Sequence, residues 1–293
     1  MILRRLLMVL VSGAAGKTGR AVMAALLARG GRVRAMVRDA QQARSIEYLA
    51  VQEVVLGDMR AEADVRRAVR GVRAIYHICP NMHPQEEDIG RLFLQAAREE
   101  GVEHFVYHSV LHPQTEKMPH HWHKMRVEEM ILESGLSFTI LQPTAYMQNI
   151  LAQRERILTE GRYLTPYSRH ACISLVDLED VAAAAATVLS TAEHVGATYE
   201  LVGTRPLAQT EVADRLSAVL GVPVQAGETA VERWREGAIA AGLGSYQVET
   251  LLRMFAYYDA YGLAGNVNVL TWLLGRPPTT LDAFIRREFG GQR

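Results

Sequence analysis

Residues 11–20 read VSGAAGKTGR, which puts glycines at 13, 16 and 19 directly after a short apolar run over 6–11. Beyond them, Ala21, Val22, Ala25, Leu26 and Leu27 recur at the spacing of one helix face, and Gly30 with Gly31 closes the segment. A chain that passes from a buried strand through closely spaced glycines into a helix has few folds open to it. The backbone N–H groups at the start of such a helix face the turn and suit a phosphate. Two phosphate-binding patterns compete for this stretch. Gly16-Lys17-Thr18 matches the end of a P-loop, but that loop needs a further glycine five residues before Gly16, where this chain has Val11. In a dinucleotide turn one glycine makes the bend, a second admits a pyrophosphate, and a third lets the helix pack on the strand. The spacing here is G-x-x-G-x-x-G instead of G-x-G-x-x-G, so the choice rests on the context.

That context is regular. Extended segments are expected at 33–37, 53–56, 74–78, 104–110 and 138–141, and helical ones at 40–49, 61–70, 86–99 and from Pro119 to about Gly135. The strands are continuously apolar instead of alternating, which predicts an α/β fold with a doubly wound parallel sheet covered on both faces. Ligands of such sheets sit outside the carboxyl ends of the strands, which nominates Arg38, Asp58, Ile78, Cys79, Pro80, Ser109 and Pro143. From about residue 151 the rhythm changes. A strand and helix over 173–190 and a strand over 198–202 read as continuations of the sheet, while 151–172 and 206–293 read as mostly helical. The expected organisation is a dinucleotide-binding domain of 1–150 and 173–205, with 151–172 and 206–293 forming a smaller substrate or partner region.

Composition narrows the function. Lys plus Arg equals Asp plus Glu at 32 each, so no excess positive charge favours a nucleic-acid partner. Two cysteines, Cys79 and Cys172, are too few for a disulfide framework and fit a reducing, cytoplasmic setting. The opening residues, with Arg4 and Arg5 before an apolar run, have the look of a secretion signal. The run is short for one, and it feeds straight into the glycine turn, so a buried first strand is expected there. No apolar stretch is long enough to span a membrane.

Taken in order, GAAGKTG after the first strand, VRD after the second, GD after the third, HSV after the fifth, Lys124, SGLSFTILQPTAYMQN, ISLVDLEDVAAAA and GRPPTTLDAFIRREF resemble the NmrA-like branch of the atypical short-chain dehydrogenase/reductase superfamily. The resemblance covers nearly the whole chain. It implies a Rossmann fold binding NAD(P)(H) and, in enzymatic members, reduction of quinones or other carbonyl-like and aromatic acceptors. The alternative it also carries is a non-catalytic NADP(H)-sensing regulator that acts through a protein partner.

The expected coenzyme contacts are Gly13, Ala15, Gly16, Lys17, Thr18, Gly19, Arg38, Asp58, Met59, Ile78, Cys79, Pro80, Ser109, Lys124, Pro143 and Tyr146. At the end of the second strand an acidic residue would bind a ribose 2′-hydroxyl and an arginine would accept a 2′-phosphate. Arg38, with Lys17 as a second cation, favours NADP(H) over NAD(H), although Asp39 keeps NAD(H) open. The resemblance implies that Lys124 lies against the nicotinamide ribose. The superfamily places a tyrosine four residues earlier, where this chain has His120. Positions i and i+4 share a helix face, so His120 is either a proton donor beside Lys124 or a polar wall. Eight of the ten histidines fall between His77 and His123, yet their spacing is not that of a zinc site and no metal is expected. Met118, Met125, Met130 and Met147 suit either an apolar acceptor pocket or the core. The expected small-molecule partner is an apolar or aromatic acceptor.

Overall fold

The structure, a computed structural model, describes residues 8–290. Arg4, Arg5 and Leu6, on which the leader-like reading and the start of the first strand fall, lie outside the described residues. The chain runs β1 (Met8–Val11), α1 (Lys17–Ala28), β2 (Arg32–Val37), α2 (Ala40–Arg44), β3 (Glu53–Leu56), α3 (Glu62–Val69) and β4 (Ala74–His77). It continues as α4 (Glu86–Glu99), β5 (His104–His108), α5 (Pro119–Glu133), β6 (Phe138–Pro143) and β7 (Ala145–Tyr146). Next come α6 (Arg154–Glu160), β8 (Arg162–Thr165), β9 (Cys172–Ile173), β10 (Leu175–Val176), α7 (Leu178–Ser190) and β11 (Ala197–Leu201). The last elements are β12 (Leu207–Ala208), α8 (Gln209–Leu220), β13 (Gln225–Glu228), α9 (Val231–Ala240), α10 (Ser245–Tyr261), α11 (Asn268–Leu274) and α12 (Leu281–Phe289).

Seven strands form one sheet in the order β11-β6-β5-β4-β1-β2-β3, and every pairing from β3 through to β6 is parallel. β1, β4 and β5 are buried along their whole length, as strands covered on both faces must be. The chain leaves β1 toward β2 and β3 on one side and returns to β4, β5 and β6 on the other. The order therefore reverses between β1 and β4, where doubly wound sheets bind their ligands.

Two compact units divide the chain. The first comprises the residues up to Gln114 with His120–Gln142 and Val181–Tyr199. Its core joins Leu10, Ile75, Phe93, Phe105, Tyr107, Val127 and Ile140. The second comprises Thr115–Pro119, Pro143–Asp180 and the chain from Glu200 onward, with Met147, Ile157, Tyr163, Leu216, Phe284 and Phe289 in its core. In that unit Asp177 takes hydrogen bonds from Arg287 and Gln148, and buried Asp180 takes them from Arg276 at 2.7 Å and the Thr279 N–H at 2.6 Å.

Three expectations need correction. The helix expected over 40–49 stops at Arg44, where the Ser45 hydroxyl donates back to the Gln42 carbonyl, and a 3-10 turn over Glu47–Leu49 ends on Ala50 in the left-handed region. The strand expected from Ile173 does not join the large sheet: β9 pairs antiparallel with β12, and β10 parallel with β7. Ser174 between them donates its N–H to Leu263 O and accepts from Thr144 Oγ1 at its carbonyl, so its backbone is already satisfied. The 151–172 segment is not mostly helical either, since β8 pairs in parallel with β13. Gly161 makes that pairing possible: its φ is 61°, and a Cβ there would lie 2.6 Å from the Pro223 carbonyl. No helix among the described residues is long and apolar enough to cross a membrane.

Candidate functional site

The turn between β1 and α1 is built by Ser12 as much as by its glycines. The Ser12 hydroxyl receives the Ile78 N–H at 2.8 Å and lies 3.1 Å from the Ile78 carbonyl and 3.0 Å from His77 Nδ1. If His77 donates from Nδ1, Ser12 passes its single proton to the Ile78 carbonyl and the ring leaves a bare nitrogen, not a stranded N–H, at its buried Nε2, which has no partner among the described residues. Burial, helped by the Lys124 charge, pushes His77 down to about 3, so the ring is neutral. These bonds tie the end of β4 to the start of the turn.

The glycines fit closely against this frame. Gly13 has a φ of 58°, and a Cβ on it would stand 3.0 Å from the Ile78 carbonyl. Gly16 caps α1 in an extended conformation, and among the described residues no side chain caps that helix. A Cβ on Gly19 would overlap the Gly13 carbonyl and lie 2.8 Å from Ala14 Cα. Bend, open backbone and close helix packing are the three tasks of a dinucleotide turn, so the residues present fit a pyrophosphate. Ala15 is half-buried beside the exposed Gly16 and Lys17, while Thr18 and Gly19 are buried.

At the end of β2 two charged neighbours have different employment. Asp39 accepts the Gln42 N–H at 2.8 Å as the cap of α2, and that bond holds its carboxyl below the ordinary range. The Arg38 side chain is 72% exposed and touches Asp39 at 3.3 Å. Further along the strand ends, Asp58 is gripped by Arg60, which holds it down at about 2, and Met59 packs against the first unit's core. Ile78 lines the turn, Cys79 is buried and Pro80 exposed. Burial and the neighbouring Glu86 carboxylate raise the Cys79 thiol well above its ordinary value, so it is inert.

Lys124 lies in a pocket whose Glu86 and Tyr107 partners the sequence did not foreshadow. It is 5% exposed, and its ammonium donates to Glu86 Oε1 at 2.8 Å and to the His108 carbonyl at 3.0 Å while standing 5.1 Å from the centre of the Tyr107 ring. Tyr107 donates to the same Glu86 oxygen at 2.9 Å. One turn along α5, buried Glu128 accepts from Ser109 Oγ and, at 3.0 Å on both oxygens, from Gln142. Burial raises the Glu128 carboxyl against these bonds and the Lys124 charge. His120, Lys124 and Glu128 thus share one buried face. His120 is pushed well below its ordinary value by burial and by Lys124, so the ring is neutral near pH 7.

The other histidines are dispersed. His104 bonds Thr139, His108 bonds Tyr76, His121 bonds the His112 carbonyl and His123 bonds Glu87. Among the described residues no group of three or more His, Cys, Asp or Glu is arranged to hold a metal. Met130 packs against the first unit's core and Met147 lies inside the second's, with Pro143 and Tyr146 in the same second unit. Glu86, Tyr107, Glu128 and Ser12 were missed by sequence reasoning. The i+4 step from Lys124 could have found Glu128, whereas an acid opening a helix reads as an ordinary favourable surface charge.

The model of the NmrA-like family matches residues 7–285. An NAD(P)H azoreductase of Xenophilus azovorans is 28% identical over 95% of this chain and 97% of its own length. A (4-alkanoyl-5-oxo-2,5-dihydrofuran-3-yl)methyl phosphate reductase of Streptomyces griseus is 33% identical over 92% of this chain and 94% of its own. Among solved structures, an NADPH-dependent quinone oxidoreductase of Escherichia coli in complex with NADPH superposes with a TM-score of 0.83 at 26% identity, covering 96% of this chain and 99% of that one. The turn at the strand-order reversal and the whole-length match agree: this chain belongs to the NmrA-like family.

Proposed function

We propose that the protein is an NADPH-dependent reductase of small, flat, electron-poor acceptors such as quinones and azo compounds. The observation that carries this reading is the glycine turn, built to admit a pyrophosphate at the point where the strand order reverses. Its relatives, an azoreductase, a quinone oxidoreductase and a furanone phosphate reductase, support the reaction class. The reduced nicotinamide, when bound, supplies the hydride.

The chain's own residues bind and orient. Gly13, Ala15, Gly16, Thr18 and Gly19 cradle the diphosphate, and Asp58, Met59, Ile78, Cys79, Pro80, Ser109, Pro143 and Tyr146 are assigned to the remainder of the coenzyme. Arg38 and Lys17 take the 2′-phosphate. The commitment of Asp39 to the α2 cap supports NADP(H) over NAD(H), because the carboxylate that would hold a 2′-hydroxyl is already engaged. Lys124 faces the nicotinamide ribose as a cation. His120, neutral and buried, forms the wall behind it, and the proton for the reduced acceptor comes from solvent.

The test is to mix the purified protein with NADPH and a panel of quinones and azo dyes and to follow the loss of nicotinamide absorbance. Turnover above the protein-free control is expected, with NADPH preferred to NADH. Tight coenzyme binding without turnover on any acceptor would instead identify a coenzyme-sensing regulator.

A further inference from the structure

Glu86 is 1% exposed and opens α4, a position where acids ordinarily face water. Its Oε1 takes two hydrogen bonds, from Lys124 and Tyr107, while its Oε2 is buried with no partner among the described residues. A carboxylate kept in so dry a place needs a reason, since removing it from water is costly. We propose that Glu86 is a positioning residue for the coenzyme site: its carboxylate fixes the Lys124 ammonium and keeps it charged, so that the lysine meets the coenzyme as a cation.

Titratable groups from four elements surround Lys124. From β4 and the residues after it come His77 and Cys79, from β5 Tyr107 and His108, from α4 Glu86, and from α5 His120, His121 and Glu128. Burial pushes His77 and His108 to about 3 and His121 to about 4, and takes His120 lower than its ordinary value as well, so none of the four is charged near neutrality. Cys79 and Tyr107 are raised and stay protonated. Glu128 is engaged by Ser109 and Gln142. That leaves Glu86 as the carboxylate in direct contact with the ammonium. A lysine buried without such a partner tends to lose its proton. The His108 carbonyl, the second acceptor, fixes the direction of the ammonium but brings no charge.

The proposal rests on the reading that Lys124 faces the nicotinamide ribose, and its test separates the two. Glu86→Gln keeps an oxygen for Lys124 and Tyr107, removes the charge and puts an amide NH2 in place of Oε2, a packing cost that is the same at every pH. NADPH affinity, read by quenching of protein fluorescence from about pH 6 to about pH 9, should follow the same pH profile in the native protein and in Glu86→Asp, a profile set by the 2′-phosphate and its cations. In Glu86→Gln it should weaken about tenfold toward the alkaline end and recover toward the acid end, as Lys124 loses and regains its proton. In a Lys124→Met background the same substitution should change affinity by less than about twofold. A loss equal at every pH, or one that persists undiminished beside Lys124→Met, would overturn the proposal.

The charge on Lys124 is also read directly, from the NMR titration of its side-chain carbon next to Nζ. If Lys124→Met leaves NADPH affinity unchanged while Glu86→Gln still lowers the lysine's titration, Glu86 holds the charge and the placement of Lys124 at the coenzyme fails. If the titration does not move, Glu86 does not hold the charge. Should Glu86→Gln not fold, the double variant Glu86→Gln/Lys124→Met, which strands no charge, is expected to fold, and its failure to do so would also overturn the proposal.

Discussion

Arg38 and Asp39 are neighbours in sequence, yet their side chains do different work. The carboxylate closes the first turn of α2, whereas the guanidinium projects from the end of β2 and touches Asp39 at 3.3 Å. A planar fork of N–H donors suits a 2′-phosphate and gains little from a 2′-hydroxyl. Arg38→Ala is therefore expected to weaken NADPH binding by roughly ten- to a hundredfold and to leave NADH within about threefold, as read by fluorescence titration with each coenzyme. Equal weakening of both would remove Arg38 from the phosphate. The sequence carried both residues in plain view and favoured NADP(H) without closing off NAD(H), because VRD does not say which charge the backbone will claim. The cap bond does, and it depends on α2 starting at Ala40. The same limit hid Glu86. Its burial follows from the packing of α4 near the Tyr107 and Lys124 side chains, a long-range fact with no local spacing to announce it.

Whole elements were easier to read than residues, and the reason is periodicity. Strands such as β4 and β5 are buried throughout, with apolar and aromatic runs Ala-Ile-Tyr and Phe-Val-Tyr, and the helices α3 and α4 that alternate with them have a clear amphipathic pattern, so alternation and parallel pairing followed from the chain alone. The two-residue strands β9 and β10 carry too few side chains for any period, and their partners are chosen by the loop at Ser174 and Leu263 instead of by pattern. The β1–α1 unit offers a contrast that tests the turn. Gly30 is left-handed with a φ of 76°, and a Cβ added there would meet nothing within 4 Å, whereas the Cβ position of Gly19 is filled by the Gly13 carbonyl and Ala14. Gly30→Ala should cost only the left-handed backbone, about 1–2 kcal/mol, and leave NADPH affinity unchanged. Gly19→Ala must push α1 away from the turn, and should lower NADPH affinity at least about tenfold as well as the denaturation midpoint. Normal coenzyme binding by Gly19→Ala would mean that the close packing of α1 does not shape the phosphate cradle.

At the scale of the molecule, acid acts on the two units in different pH ranges. The first unit buries His77, His108 and His121 as neutral rings, with folded values of about 3, 3 and 4 against 6.5 in the unfolded chain. Because the unfolded chain binds their protons first, the stability they give is complete above about pH 6.5 and drains away as pH falls toward 4 and 3, at up to about 1.4 kcal/mol per unit for each ring. Glu128 works in the opposite sense: its raised value means that the folded state gains as its proton returns, which partly offsets the loss. In the second unit burial raises Asp177, but the bonds from Arg287 and Gln148 outweigh it and leave the carboxyl below its ordinary 3.8. A depressed carboxyl contributes fully above the unfolded value and is lost only below it, so Asp177 is silent between neutrality and about pH 5. Denaturant unfolding measured from about pH 7 to about pH 5 should therefore show stability falling across a range where ordinary carboxylates do not titrate. Replacing His121 by Gln, which keeps an N–H for the His112 carbonyl, should make that fall shallower by about one proton. A level profile over those two units would mean that water or a proton reaches the rings in the folded protein, and with it the electrically quiet surroundings that leave Glu86 as the partner of Lys124 would be lost.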